Sequence, residues 1–194
     1  MANEAQVIVI GAALGFVAWT ITRMQAAGDP VTAGDFESDI FTDTVEEMKQ
    51  RIGDGWPTGS APYQSMIEQA AAAHGVPVQI LAWLLWKESR YNPAIISGAK
   101  RSPVGAMGIA QFMPATAAEE LGSTANALIP AVAIPGAAKY LKKLYRSTGS
   151  WGEALAAYNW GIGNVQRKGL ARAPAETTDY YTTILAKAGY EATA

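Results

Sequence analysis

From residue 62 onward, apolar residues recur at helical spacing, and Pro and Gly cut the pattern into helix-length pieces. No strand-period run of useful length appears, so the chain must bury its apolar surface by packing helix on helix. "YQSMIEQAAAAHG" carries Met66, Ile67, Ala70 and Ala71 on one stripe, and His74-Gly75 reads as its last turn and C-cap. "VPVQILAWLLWKESRY" follows, with Pro77 in its first turn and Asn92-Pro93 ending it. "MPATAAEELG" restarts a helix at Pro114 and closes at Gly122. Residues near 131 to 147 form the next, where Pro135-Gly136 predicts a kink or a late start. "SWGEALAAYNWG" and "PAETTDYYTTILAKAG" complete the set. The expected fold is all-α or mostly α, with at most a short hairpin between 97 and 112, where "SGAKRSPVGAMG" is turn chemistry.

The chain divides by composition. Residues 5–22, "AQVIVIGAALGFVAWTIT", hold no charge and would span about 27 Å as a helix, near the lower limit for crossing a bilayer. They are predicted as an N-terminal apolar helix (1–27) that inserts in a membrane or packs on a partner protein. The GxxxG spacing of Gly11 and Gly15 would also let copies associate as an oligomer. A secretory signal fits less well, because no Lys or Arg precedes the apolar run. Residues 28–61 are rich in acids and read as a linker or stalk with one short helix in "TDTVEEMKQRI". Residues 62–194 form the folded domain.

Composition excludes several chemistries. There is no Cys, hence no disulfide scaffold, thiolate metal site or Cys nucleophile. With the single His74 and no HExxH-type pair, the sequence argues against a protein-built zinc site, and no metal or cofactor is expected. A net charge of −2 argues against nucleic acid as partner.

One acid stands out. Leu81, Leu84, Leu85 and Glu88 fall at i, i+3, i+4 and i+7 of one helix, which places Glu88 on the face that should be buried. A carboxyl half-removed from water either finds a partner or stays protonated. Arg90 and backbone donors are candidate partners, in which case Glu88 is structural. Held as an acid near neutral pH, it could instead protonate a leaving oxygen, as in glycosidic bond cleavage. The Gly-rich turn with Met107, Gln111 and Met113, and the Tyr158-Asn159-Trp160 cluster, offer the flat apolar faces and amides that a sugar ring needs.

Three blocks in order, "ESRYNP", "SPVGAMGIAQFMPATA" and "AAYNWGIGNV", followed by "PAETTDYY", resemble the soluble lytic transglycosylase family over roughly residues 62–190. That resemblance implies a goose-type, lysozyme-like helical domain acting on peptidoglycan glycan strands in the cell envelope or from a phage virion. It implies Glu88 as catalytic acid/base, with Ser89 beside it as a substrate-binding residue. Gly105, Ala106, Met107, Gly108 and Gln111 would line the glycan cleft. Tyr158 would hydrogen-bond near the catalytic acid, followed by Asn159, and Glu176 and Tyr180 would match a late glutamate and tyrosine near the cleft. The family serine maps to Ser97 or Ser102, with Ser102 preferred for its spacing to Gly105-Ala106.

The chain departs from the family pattern in carrying about five extra residues around "GAKRS", and in having Ala133 before Ile134 where an Asn is usual. The family chemistry needs one carboxylate. The resemblance implies that Glu88 would protonate the bond between N-acetylmuramic acid and N-acetylglucosamine, with help from the N-acetyl group, and would then deprotonate the 6-hydroxyl to give a 1,6-anhydro product. Two other readings remain: a hydrolytic goose-type lysozyme using Glu176 or Asp179, and a structural membrane-inserting component of a phage particle or secretion assembly.

Overall fold

The computed structural model describes residues 55–191. The predicted apolar helix and nearly all of the acidic stalk lie outside the described residues. Eight α-helices are described: α1 (Gln64–His74), α2 (Val78–Ser89), α3 (Pro93–Ile96), α4 (Pro114–Leu121), α5 (Pro130–Thr148), α6 (Trp151–Trp160), α7 (Ile162–Lys168) and α8 (Ala175–Lys187). Among the described residues there is no strand, only an antiparallel bridge between Met107 and Phe112, which is the expected hairpin reduced to one rung.

The hub is α6. Gly152, Ala154, Leu155, Ala156 and Ala157 are all buried, so this helix is apolar nearly all round and sits inside the domain. It packs on α5, α7 and α8, while α1 packs on α2 and α5, and α8 on α2. Small residues on α6 let these neighbours approach closely. Ser150 caps its start by accepting from the Glu153 N–H.

On the face foreseen on α2, Leu81, Leu84 and Leu85 are fully removed from water, as is Ile80 beside it, each contributing about 2 kcal/mol of transfer free energy. The expected C-cap of α1 is also present, Gly75 taking φ +62° and donating to Ala71 and Ala72.

Two expectations are corrected. The helix containing Pro135 does not start late: Pro130 occupies its first turn and the helix runs through Pro135. The missing N–H of Pro135 leaves the carbonyl of Ala131 without its helical bond, at an exposed position of the helix. Gly136 is what lets α4 lie against α5, because a Cβ there would fall 2.0 Å from Leu121 Cδ2. The second correction concerns residues 55–60, assigned by composition to the linker. Pro57 and Ser60 are buried, Ser60 N–H donates to the Pro57 carbonyl, and the Tyr63 ring just beyond stacks on Tyr91 at 5.7 Å. The packed unit therefore begins before residue 62.

Candidate active site

Glu88 occupies the last turn of α2, and the chain ends that helix abruptly. Arg90 and Tyr91 both take left-handed backbone conformations, φ +54° and +51°, which cost non-glycine residues about 1–2 kcal/mol each. Local bonds offset that strain. Arg90 N–H donates to the Trp86 carbonyl, and Tyr91 Oη donates to the Ala82 carbonyl at 2.8 Å. The Arg90 guanidinium lies over the Trp86 ring at 3.6 Å, so this cation is spent on an aromatic face rather than on Glu88.

Ser89 is fully buried; its hydroxyl donates to the Leu85 carbonyl and accepts from the Tyr91 N–H. The contact with substrate expected of Ser89 is thereby corrected: burial leaves it no reach, and it secures the turn that presents Glu88.

The Glu88 side chain is half-buried, its carboxyl lying deep among protein atoms. Burial pushes its pKa up from 4.5 to about 7, opposed by a hydrogen bond from Tyr180. Of the two outcomes foreseen for a buried acid, the partner is present, and burial shifts the balance toward the protonated form. The partner is the Tyr180 hydroxyl, which donates to Oε1 from the buried face of α8. Tyr158 is also near: burial and the Glu88 charge both push its phenol well up. Its hydroxyl, however, donates to the Ala110 carbonyl at 2.9 Å. The two tyrosines therefore have separate partners. Tyr180 bonds the acid, and Tyr158 bonds the loop above it.

That loop is a closed ring. Met107 and Phe112 exchange both backbone hydrogen bonds at 3.0 Å, and the Gln111 amide donates to the Gly108 carbonyl at 2.8 Å. Phe112, Tyr140 and Tyr158 form a cluster of rings with centroids 5.4–6.3 Å apart, which docks the ring of backbone on α5 and α6. Gly108 is buried against the Ala127 carbonyl, so its place is in packing. Gly105 is exposed, and Ala106 and Met107 are partly so.

Ser102 accepts from the Val104 N–H beside Gly105, and shares a depression with Gly105, Ala106 and Met107. Ser97 lies outside that lining and ties the end of α3, donating to the Ala94 carbonyl and accepting from the Ala99 N–H. Asn159 is exposed and its Oδ1 accepts from Thr177, which turns its NH2 group outward; Glu176 is exposed one residue earlier on α8. Ala133 is fully buried in α5, so that departure from the family pattern concerns packing.

A second link joins the same two helices. Lys87 Nζ meets Asp179 Oδ2 at 2.6 Å, so consecutive residues of α2 bond consecutive residues of α8. The Lys87 hydrogen bond and charge hold the Asp179 carboxyl below its usual range and keep it ionised. Sequence reasoning missed this pair, because nothing in either segment marks the register between them. Among the described residues, no group of three or more His, Asp or Glu side chains converges as a metal site would require.

Tyr180→Phe is the direct test of the pairing. The phenol favours the charged form of Glu88, so its loss should raise the Glu88 pKa above about 7, as read by carboxyl-carbon NMR titration. A lowered or unchanged value would show that the bond does not form in solution.

A helical domain that buries one carboxyl, raises its pKa and bonds it to a tyrosine has the makings of a single-acid catalyst. The family model for the transglycosylase SLT domain matches residues 65–180, and the chain belongs to that family. It is 36% identical over 104 residues to the transglycosylase of Enterobacteria phage PRD1, a match covering 54% of this chain and 37% of that protein. It is 34% identical over 110 residues to the peptidoglycan transglycosylase gp16 of Escherichia phage T7, covering 53% of this chain and 8% of that protein. The chain therefore spans well under half the length of either relative.

Among solved structures, the 70-kDa soluble lytic transglycosylase of Escherichia coli matches with TM-score 0.56 and 26% identity over 65% of this chain and 23% of that one. An inactive mutant of lytic transglycosylase Slt from Pseudomonas aeruginosa matches with TM-score 0.57 and 27% identity at the same coverage. The 70-kDa enzyme is also matched in its complex with bulgecin A. The lysozyme-like helical fold expected from the sequence is the fold observed.

Proposed function

We propose that this domain is a peptidoglycan lytic transglycosylase in which Glu88 is the sole acid and base. The observation that carries the reading is the Tyr180 hydroxyl bonded to one oxygen of the Glu88 carboxyl within an SLT-family domain, where burial raises that carboxyl to about 7. Near neutral pH such a group is populated in both protonation states, which a one-carboxylate mechanism uses in turn. Tyr180 fills Oε1, leaving Oε2 to carry the proton.

The Oε2 proton passes to the glycosidic oxygen as the bond to C1 of N-acetylmuramic acid breaks, and the N-acetyl oxygen bonds C1. The Glu88 carboxylate then takes the proton of the 6-hydroxyl, whose oxygen displaces the acetamido oxygen and closes the 1,6-anhydro ring. Each proton lost by Glu88 is regained, and no water is consumed. Asp179 is ill suited as a second carboxylate, being held by Lys87 at the surface. Ser102, Gly105, Ala106, Met107, Gln111, Asn159 and Glu176 are assigned to holding the glycan, and Tyr158 to fixing the loop they share.

The phage origin of both curated relatives supports delivery from a virion to the cell wall. In this reading, residues 5–22 attach the domain to a membrane or to a partner protein, the acidic segment after them acts as stalk, and the domain from about residue 55 onward cuts.

The test is mass spectrometry of muropeptides released from purified sacculi by the full chain. Products lighter by one water than hydrolytic ones are expected. Reducing-end sugars would make the protein a lysozyme, and no product would leave a structural component of the particle.

A further inference from the structure

Helices α2 and α8 bury mainly apolar side chains, Leu81, Leu84 and Leu85 on one and Ile184 and Leu185 on the other. Apolar contact is non-directional, so it holds two helices together without fixing their register. Register is critical for Tyr180. A slip of one residue turns the helix surface by about 100°, enough to take a hydroxyl off its acceptor. The neighbouring Tyr181 shows the difference, since its ring lies against Gly152 of α6.

Two polar links flank the Tyr180–Glu88 bond. The Thr177 hydroxyl donates to Asn159 Oδ1 at 2.8 Å and ties α8 to α6. Lys87 Nζ donates to Asp179 Oδ2 at 2.6 Å and ties α8 to the helix that carries Glu88. Asp179 is held on both oxygens, because Thr183, one turn further along α8, donates to Oδ1 at 3.2 Å. Lys87 is also enclosed, its side chain 16% exposed against 57% and 55% for Lys139 and Lys143, the lysines that pair α5 with α4. A cation with so little freedom loses little more on pairing, so this pair keeps a defined geometry.

We propose that Lys87 and Asp179 are positioning residues, whose pair sets the register of α8 on α2 and thereby keeps the Tyr180 hydroxyl on one oxygen of Glu88. The other oxygen is then the one that exchanges protons with substrate. This rests on the reading of Glu88 as the catalytic acid. Neither member of the pair acts on the glycan, and both act through Tyr180.

The test uses the full chain with Asp179→Ala, Lys87→Met and the reversed pair Lys87→Glu/Asp179→Lys, each with and without Tyr180→Phe. Two quantities are read: kcat and KM for muropeptide release, and the Glu88 titration by carboxyl-carbon NMR. Asp179→Ala and Lys87→Met should each lower kcat about fivefold, the size of one well-held ion pair, with KM unchanged. Both should raise the Glu88 pKa, because both release the phenol that favours its charged form. A direct charge effect has opposite signs, since loss of the anion lowers that pKa and loss of the cation raises it. Tyr158 of α6 and Tyr180 of α8 also face Glu88, but burial, and then the Glu88 charge, push both phenols well up, so they stay neutral throughout.

The reversed pair should recover most of kcat. In the Tyr180→Phe background, Asp179→Ala should change neither quantity further. A merely structural pair would instead lower the melting temperature alike in both backgrounds and leave the Glu88 titration where it was. That result, shifts of opposite sign, or equal effects with and without Tyr180 would each overturn the proposal. If wild type releases no muropeptides, the catalytic reading fails, and the titration cycle alone decides whether the pair positions Tyr180.

Discussion

Glu88→Gln is expected to abolish cleavage and, above pH 7, to make the domain more stable than the wild type. The amide keeps an oxygen for the Tyr180 hydroxyl, so the hydrogen bond and the packing of α2 on α8 survive. What is lost is the proton that leaves and returns. A general acid is worth about 10²–10⁴ in rate, and here one group serves as acid and base, so a loss near the upper end is expected. Stability moves the other way. The folded pKa of about 7 lies above the unfolded 4.5, so folding favours the protonated carboxyl. The stability this brings is fully present below pH 4.5 and is lost as pH rises through 7. At pH 8 the wild type carries a buried charge that the amide does not, a difference of up to roughly 3 kcal/mol. Thermal unfolding of the two proteins should therefore coincide at pH 4 and separate at pH 8, the variant melting higher. A variant that melts lower at pH 8, or that still releases muropeptides, would remove Glu88 from its assigned place.

Gly108→Ala should be the most destabilising small substitution near the site. A Cβ at this position would sit 1.7 Å from the Ala127 carbonyl oxygen, and the residue has φ +73°. Both penalties act together, and the obstacle is backbone. Either the Met107–Phe112 ring or the turn at Ala125–Leu128 would have to move. The expected loss is about 3–5 kcal/mol, read as a fall in the denaturant midpoint with little change in slope. Gly136→Ala is the internal comparison, with its Cβ 2.0 Å from Leu121 Cδ2. The end of a leucine can rotate away, so a smaller loss of about 1–3 kcal/mol is expected. If the order were reversed, the close approach at Gly108 would not exist in solution. The result also separates two meanings of the same glycine. The family resemblance implies a lining of the glycan cleft, and the packing makes it a spacer beneath that lining.

Much of the fold was legible because Pro and Gly mark where helices start and stop. Pro114, Gly122 and Gly75 all stand where expected, and the α2 stripe predicted the buried face that carries Glu88. What could not be read is what depends on distant partners. Residues 55–60 look like linker because Gly, Pro, Ser and Thr dominate them, yet Pro57 and Ser60 are buried in the packed domain. The short α7 was missed since "IGNVQRK" has too few positions for a periodicity to show. Within the site, the sequence placed Glu88, Tyr158 and Tyr180 on three separate helices but not their mutual register. Which phenol reaches the acid depends on how α8 lies against α2, and the Lys87–Asp179 pair that shares this register is invisible until both helices are in place.

The ring closed by Met107 and Phe112 has a further implication for how such a chain can change. It makes its hydrogen bonds within itself and anchors inward through Tyr158, so the segment before it is attached at one end to a fixed point. Residues 97–106 can lengthen or shorten at little entropic cost, since closure entropy grows only slowly with loop length. Glu88 and its tyrosine would not feel the change. On the proposed function, selectivity and turnover lie on separate mechanical parts, so insertion alone could alter the first while the second stayed as it was.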